Sequence, residues 1–248
     1  MVTAIIQARV GSTRFPGKVF ADLAGRPLIW HVVDRIRKCR NVQGIVLATT
    51  LNSLDDPLAI WAKGQGVSLF RGDEEDVLAR FHGAARAYGV DIVVRVTADD
   101  PFKDPQIIDK VVQLLIDNNL DFASNNNPPS FPEGLDVEAF TIDALDRANH
   151  MAISPFDREH VTQCFYKNID IFLQKNLSNN VDLSFLRWTI DTPLDYQLAQ
   201  AVYGHLYVDG KIFYMDDILE LLKIHVKLST LNSTVPRSTM YQGKKGIK

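Results

Sequence analysis

The strongest constraint on this chain is an alternation, from Val2 to Leu115, of short β-branched apolar runs with amphipathic helical stretches. Val2 to Ala8 (VTAIIQA) reads as a strand covered on both faces. A helix opened by Gly25-Arg26-Pro27 follows, with Leu28, Ile29, Val32, Val33 and Ile36 at helical spacing. Gly44 to Thr49 is a second strand, and Asp55-Asp56-Pro57 supplies a cap and a proline start for a helix reaching Gln65. Val67 to Arg71, Asp76 to Tyr88 and Asp91 to Thr97 continue as strand, helix, strand. After the loop Ala98 to Asp104, Pro105 starts another helix. This rhythm predicts a mostly parallel sheet with helices on both faces. Its crossovers should be right-handed and its ligands should sit at the carboxyl ends of the strands.

The second half changes character. Asn125 to Pro132 is a loop and Asp136 to Thr141 reads as a strand. Two helical segments follow, the second beginning at Ser154-Pro155, and Leu186 to Ile190 (LRWTI) reads as a strand ending at Asp191. Thr192-Pro193-Leu194-Asp195 combines a cap, a proline at the first helical position and an acid three residues on, a strong helix start. No linker is long enough to separate two domains, so residues 1–226 read as one three-layer α/β/α domain. Residues 227–248 read as a polar, mobile tail with a basic tip, Lys244, Lys245 and Lys248.

Composition excludes several function classes. Apolar residues at 46% and a net charge of −3, from 27 Lys+Arg against 30 Asp+Glu, rule out global disorder. The same balance argues against coating nucleic acid, while leaving room for a local basic pocket that takes a small polyanion. Cys39 and Cys164 belong to no CxxC or Cys/His pattern, so neither a disulfide framework nor a zinc ribbon is expected. The apolar start MVTAIIQAR lacks a charged leader, and no run approaches the roughly 18 apolar residues that span a bilayer. A cytoplasmic enzyme without membrane or nucleic-acid partners is the expectation.

The segment Gln7 to Val19 (QARVGSTRFPGKV) leaves the first strand where an α/β sheet offers its ligand crevice. It gathers Arg9, Gly11, Ser12, Arg14 and Lys18, so backbone N–H groups and three cations can face a polyphosphate. A Walker A loop needs four residues between its glycines and Ser or Thr after the lysine. Here Ser12 to Pro16 separate Gly11 from Gly17 and Val19 follows Lys18, so a P-loop is excluded, and no G-x-G-x-x-G is present in this turn. A second constellation is acidic. Asp99 and Asp100 follow the fourth strand and Asp191 the later one, so carboxylates from two strand ends can converge on one Mg²⁺ beside the cationic loop. Asp100-Pro101 and Asp191-Thr192-Pro193 also fit helix-cap chemistry.

Further candidates are less specific. Arg71 to Arg80 suits base and ribose recognition, although Glu74, Glu75 and Asp76 also fit a helix N-terminus. Arg95, on the strand leading to Asp99, is equally an ion-pair partner and a ligand contact. Asp136 and Glu138 share a strand face by the two-residue period, and Arg158, Glu159 and His160 lie in a capped helix. With Arg187, these are the candidates for a hydroxylated, anionic acceptor.

The run Ala8-Arg9-x-x-Ser12-Thr13-Arg14-Phe15-Pro16-Gly17-Lys18 resembles the nucleotide-binding signature of the sugar-acid cytidylyltransferases, such as CMP-Kdo synthetases and acylneuraminate cytidylyltransferases. The fuller match is to the spore coat polysaccharide biosynthesis F (SpsF-like) branch. It rests on ATT at 48–50, FRGDEEDVLAR at 70–80, VRVTADDP at 94–101, GLDV at 134–137, REHVT at 158–162 and LRWTIDTP at 186–193. The resemblance implies a Rossmann-like nucleotidyltransferase sheet related to the GT-A type, a small dimerisation and acceptor insertion, and a homodimer. It implies CMP transfer from CTP to a sugar or sugar acid, with Lys18, Arg14 and Arg9 catalytic and Asp99 and Asp191 as Mg²⁺ ligands. It also implies nucleotide contacts at Ala8, Gly11, Ser12, Arg71, Asp76 and Thr97, with the acceptor near Asp136, Glu138, Arg158, His160 and Arg187. A nucleotide-sugar glycosyltransferase shares this kind of sheet but is expected to carry D-x-D, whereas Asp99 and Asp100 are adjacent. A non-catalytic nucleotide-binding relative would lack some of these cations or carboxylates, and none is missing.

Overall fold

Strand β1 (Val2–Gln7) lies near the middle of the sheet, and its side chains alternate between two cores. Ala4 and Ile6 enter one apolar cluster and Ile5 the other, as the two-residue period of a strand requires. The computed structural model describes residues 1–12 and 14–237. After β1 come a two-residue hairpin, β2 (Asp22–Leu23) and β3 (Arg26–Pro27), helix α1 (Leu28–Ile36) and β4 (Gly44–Thr50). Next are α2 (Asp56–Gly64), β5 (Ser68–Gly72), α3 (Val77–Ala87), β6 (Ile92–Thr97) and α4 (Pro105–Asp117). The second half supplies β7 (Phe122–Ser124), β8 (Glu138–Thr141), α5 (Ile142–Met151), α6 (Pro155–Glu159), α7 (Gln163–Lys167) and β9 (Gln174–Asn176). It closes with α8 (Pro193–Leu206), α9 (Met215–Ile224) and α10 (Val226–Ser229).

The seven-stranded sheet runs β5-β4-β1-β6-β8-β7-β9. β5, β4, β1 and β6 pair in parallel, β8 is antiparallel to both β6 and β7, and β9 pairs parallel with β7. Helices cover both faces: α1, α2, α4, α8 and α9 pack on the Ala4/Ile6 side, and α3, α5 and α7 on the Ile5 side. The mostly parallel α/β sheet expected from the alternation is therefore present. Among the described residues, no helix is long and apolar enough to cross a membrane.

Four local expectations are corrected. Leu186 to Ile190 is not a strand: Glu133 N–H donates to the Leu186 carbonyl, Trp188 N–H to the Glu133 carbonyl and Ile190 N–H to the Asp99 carbonyl, so its bonds go to two different loops. Buried Trp188 and Ile190 give this segment a strand-like apolar rhythm without a ladder. Asp136 precedes β8, so Asp136 and Glu138 do not share a strand face. Asp55 does not cap α2 with its side chain; its carboxylate instead accepts the Val10 N–H (2.7 Å) and the Thr50 hydroxyl, tying the cationic loop to β4. The segment from 227 begins helical and packs against the body through Asn232, which is 4% exposed. Residues 238–248, including Lys244, Lys245 and Lys248, lie outside the described residues.

Candidate active site

Three adjoining clefts run across the carboxyl ends of β1 and β6. The largest, about 710 Å³, is walled by Gln7, Arg9, the turn Asp73–Asp76, Arg80 and Arg158. A middle cleft of about 220 Å³ contains Gln7, Ala8, Arg9, Ser12, Arg14, Lys18, Thr97, Asp99 and Asp191. The third, about 130 Å³, shares Arg14, Thr97, Asp99 and Asp191 with it and adds Arg95, Asp100, Glu133 and Asp136.

The loop after β1 is folded by its own backbone. Ser12 N–H and Gly17 N–H both donate to the Val10 carbonyl, and the Ser12 hydroxyl accepts from Phe15 N–H (3.3 Å). Gly17 at φ +70 turns the chain left-handed, a conformation that glycine reaches without Cβ strain. A single 3₁₀ turn, Lys18–Phe20, follows; Val19 enters the core and Lys18 is left 8% exposed at the cleft floor. Its ammonium donates to Asp99 Oδ2 (2.7 Å), Asp191 Oδ1 (2.8 Å) and the Ile190 carbonyl (2.9 Å). Arg14 reaches the same Asp191 Oδ1 at 2.9 Å from a largely exposed position. The Ile190 N–H to Asp99 carbonyl bond brings the two acids together although 92 residues of sequence separate them.

The electrostatics follow from this packing. Burial opposes the Lys18 charge, but Asp99 and Asp191 outweigh it and hold its pKa above the ordinary lysine value. Burial likewise opposes ionisation of Asp99, and the Lys18 ammonium overcomes it, lowering that carboxyl. Asp100 behaves oppositely. Its burial dominates, Lys103 (2.9 Å) offsets it in part, neighbouring Asp99 adds repulsion, and its pKa is raised. Among the described residues, no group of three or more His, Cys, Asp or Glu side chains forms a metal cage. Two hard carboxylate oxygens already facing one cation are nonetheless the donor set Mg²⁺ takes from a protein, the rest coming from phosphate and water. Asp99 and Asp191 fit that ion.

The other candidates divide. Asp76 caps α3 through Ala79 N–H (2.9 Å) and pairs with Arg158 (2.6 Å), and both line the largest cleft. Arg158 also donates to the Asn149 and Ala152 carbonyls, so it fastens α6 to the end of α5 as well as to the start of α3, and it lines a different cleft from Asp136. Thr97 donates to Asp100 (2.7 Å) between the second and third clefts. Arg71 turns away, pairing with Asp56 (2.7 Å) and the Thr50 and Asn52 carbonyls. Glu138 is buried and accepts from Arg95 (2.6 Å), Tyr166 (2.7 Å) and Thr162 (2.9 Å), which ties α7 to β6 rather than presenting a carboxylate to a ligand. His160 ends α6 with its ring edge-on to Phe156. Neither His160 nor Glu138 lines the three clefts. The five acceptor candidates thus do not form one face.

Arg187 is a buried hub. Its guanidinium pairs with Glu133 (2.7 Å), Asp191 (2.8 Å) and Asp195 (3.1 Å), which together overcome its burial and raise its pKa further. Sequence reasoning missed Glu133, Lys103, Asn232 and Arg237. Each lies in a stretch whose pattern carries no signal; Lys103 pairs with Asp100 three residues away, whereas Glu133, Asn232 and Arg237 reach the site through tertiary contacts.

The chain is similar to known proteins. The cytidylyltransferase family model matches residues 3–223. The spore coat polysaccharide biosynthesis protein SpsF of Bacillus subtilis is 34% identical over 205 residues, covering 80% of this chain and 85% of that one. A 3-deoxy-manno-octulosonate cytidylyltransferase of Geobacter sulfurreducens is 40% identical over 119 residues, 47% of this chain and 46% of its own. The solved structure of a cytidylyltransferase from Leptospira borgpetersenii superposes with a TM-score of 0.87 at 32% identity, over 92% of this chain and 96% of that one. With the cationic loop and the converged acids already in place, the chain belongs to the cytidylyltransferase family and is a CTP-dependent nucleotidyltransferase.

Proposed function

We propose that the chain transfers CMP from CTP to a hydroxyl of a sugar or sugar acid, releasing pyrophosphate, in the assembly of a surface polysaccharide or glycoconjugate. The carrying observation is that Asp99 and Asp191 meet at the Lys18 ammonium on the floor of the middle cleft, with Arg14 on the same Asp191 oxygen. The triphosphate lies in that cleft against Arg9, Arg14, Lys18 and the backbone around Gly11 and Ser12, with the nucleoside in the large cleft beside Asp73–Asp76. Asp99 and Asp191 would hold Mg²⁺, which when bound would supply positive charge against the phosphates. The acceptor enters through the third cleft, and its oxygen attacks the α-phosphorus in line with the departing pyrophosphate. Lys18 and Arg14 steady the charge that builds on that leaving group; positioning and charge stabilisation supply most of the rate. The sugar-acid class draws support from the 3-deoxy-manno-octulosonate enzyme that matches half of this chain.

The test is thermal denaturation with each of the four nucleoside triphosphates and Mg²⁺, followed by pyrophosphate release from CTP with a panel of sugars and sugar acids. A ligand that binds only the folded state raises the melting temperature. CTP should give the largest shift, and one acceptor class should release pyrophosphate. Glycosyl transfer from a nucleotide sugar, or CTP binding with no turnover across the panel, overturns the reading.

A further inference from the structure

The segment after α10 is not needed to complete the sheet, yet it reaches the charge network behind the middle cleft. Asn232 is 4% exposed, and its amide nitrogen donates to the Arg187 carbonyl (2.9 Å) and to Asp195 Oδ1 (2.8 Å). One side-chain amide therefore fixes both the main chain of Arg187 and the carboxylate on which the Arg187 guanidinium rests. Arg187 Nε donates to that same Asp195 Oδ1 (3.1 Å), and its Nη2 donates to Asp191 Oδ2 (2.8 Å). Asp195 Oδ2 accepts the backbone N–H of Asp191 (3.1 Å) and of Thr192 (2.9 Å). With Oδ2 of Asp191 occupied from behind, Oδ1 is the oxygen that faces Lys18 and Arg14. Arg237 anchors the segment a second time, pairing with Asp136 (3.3 Å) and donating to the Ser184 carbonyl (2.9 Å).

We propose that residues 230–237 form a strap whose Asn232 is a positioning residue: through Asp195 and Arg187 it sets which carboxylate oxygen Asp191 presents to the cation in the cleft. The inference rests on the reading of Asp191 as a metal ligand. Partners that orient a metal-binding carboxylate typically govern affinity by about 10- to 100-fold.

The experiment titrates Mn²⁺, as a spectroscopic stand-in for Mg²⁺, into the full-length protein with CTP and reads free Mn²⁺ by electron paramagnetic resonance. Asp191→Asn sets the scale of a lost ligand. Asn232→Ala should weaken Mn²⁺ binding by about tenfold or more. Asn232→Ser, smaller but polar, supplies the same readout if the alanine variant folds poorly. Ser233→Ala, whose hydroxyl donates to the Thr230 carbonyl within the same turn, should bind Mn²⁺ as the parent does. A strap that only stabilises the fold would lower the melting temperature of the Asn232 variants and leave Mn²⁺ affinity within twofold, and that result overturns the proposal. If the parent protein with CTP takes up no more Mn²⁺ than CTP alone, or Asp191→Asn binds as the parent does, the metal-site reading itself fails, and the two failures are told apart.

Discussion

The end of the groove proposed for the nucleotide and the end proposed for the acceptor hold their charges in opposite ways. At the nucleotide end Arg9 and Glu74 face each other at 3.4 Å with side chains 51% and 45% exposed, and the cleft is broad. At the acceptor end Arg187, Glu133, Asp191 and Asp195 interlock with side chains no more than 10% exposed. Exposed pairs are screened and contribute little, so a ligand can take Arg9 from Glu74 at small cost. Buried pairs are expensive to break and hold geometry before a ligand arrives, the condition under which fixed charges stabilise a transition state best. One end adapts to its ligand; the other is preset.

The contrast is broken most directly at Arg187. Arg187→Met strands three carboxylates in a desolvated site and should cost about 3–5 kcal/mol in chemical denaturation. A loss below about 1 kcal/mol would mean that packing rather than charge holds this end together.

Lys18→Ala removes the cation between Asp99 and Asp191 and should lower turnover by about 10²–10³-fold, some 3–4 kcal/mol. It should also make the melting temperature more responsive to Mg²⁺ than in the parent, since the ion takes over the vacated charge. Pyrophosphate release within threefold of the parent would remove Lys18 from the chemistry.

Asp136 sharpens the acceptor end through pH. Its burial, only partly offset by Arg237 and Lys103 and reinforced by Asp100 and Glu133, pushes its pKa up to about 6. A free aspartate titrates near 3.9, so the folded chain holds this proton more tightly than the unfolded one. The stabilisation is complete below about pH 4 and is lost as the pH rises through 6, worth about 2–3 kcal/mol. Relative to Asp136→Asn, the parent should therefore lose stability between pH 4 and 7. Parallel stability profiles would show that Asp136 ionises freely.

Arg9→Ala is the mild case: stability within about 0.5 kcal/mol of the parent, because the Glu74 pair is exposed and long. The CTP-induced melting shift should nevertheless shrink. An unchanged shift would place the triphosphate away from Arg9.

The first half was legible because its signals are local. β1, β4 and β6 are largely apolar runs of six or seven residues, β5 is a shorter mixed one, all are joined by helices, and the Arg9–Lys18 loop keeps its chemistry within one turn of chain. The second half was legible only in part: the helix starts at Ser154-Pro155 and Thr192-Pro193 and the strand ending at Thr141 are present, but the sheet edge was not readable, for reasons that can be named. β7 and β9 are three residues each, and β9 is polar (QKN), so neither carries a period long enough to recognise. Leu186–Ile190 has the apolar content of a strand, but its partners are two loops, and sequence spacing does not encode partners. Glu138 and Arg187 looked like ligand contacts because buried charge and binding charge are the same residue types; burial and partners decide between them.

By itself the sequence determined the parallel α/β frame, the cationic loop at its carboxyl edge and the family to which the chain belongs. Only the tertiary structure decided that Asp99 and Asp191 share one ammonium, that Arg187 and Asn232 stand behind Asp191, and that Glu138 fastens α7 to β6. The reason is physical. Periodicity and turn chemistry are set by neighbours along the chain, whereas the worth of a buried charge depends on which distant side chains arrive to pair with it.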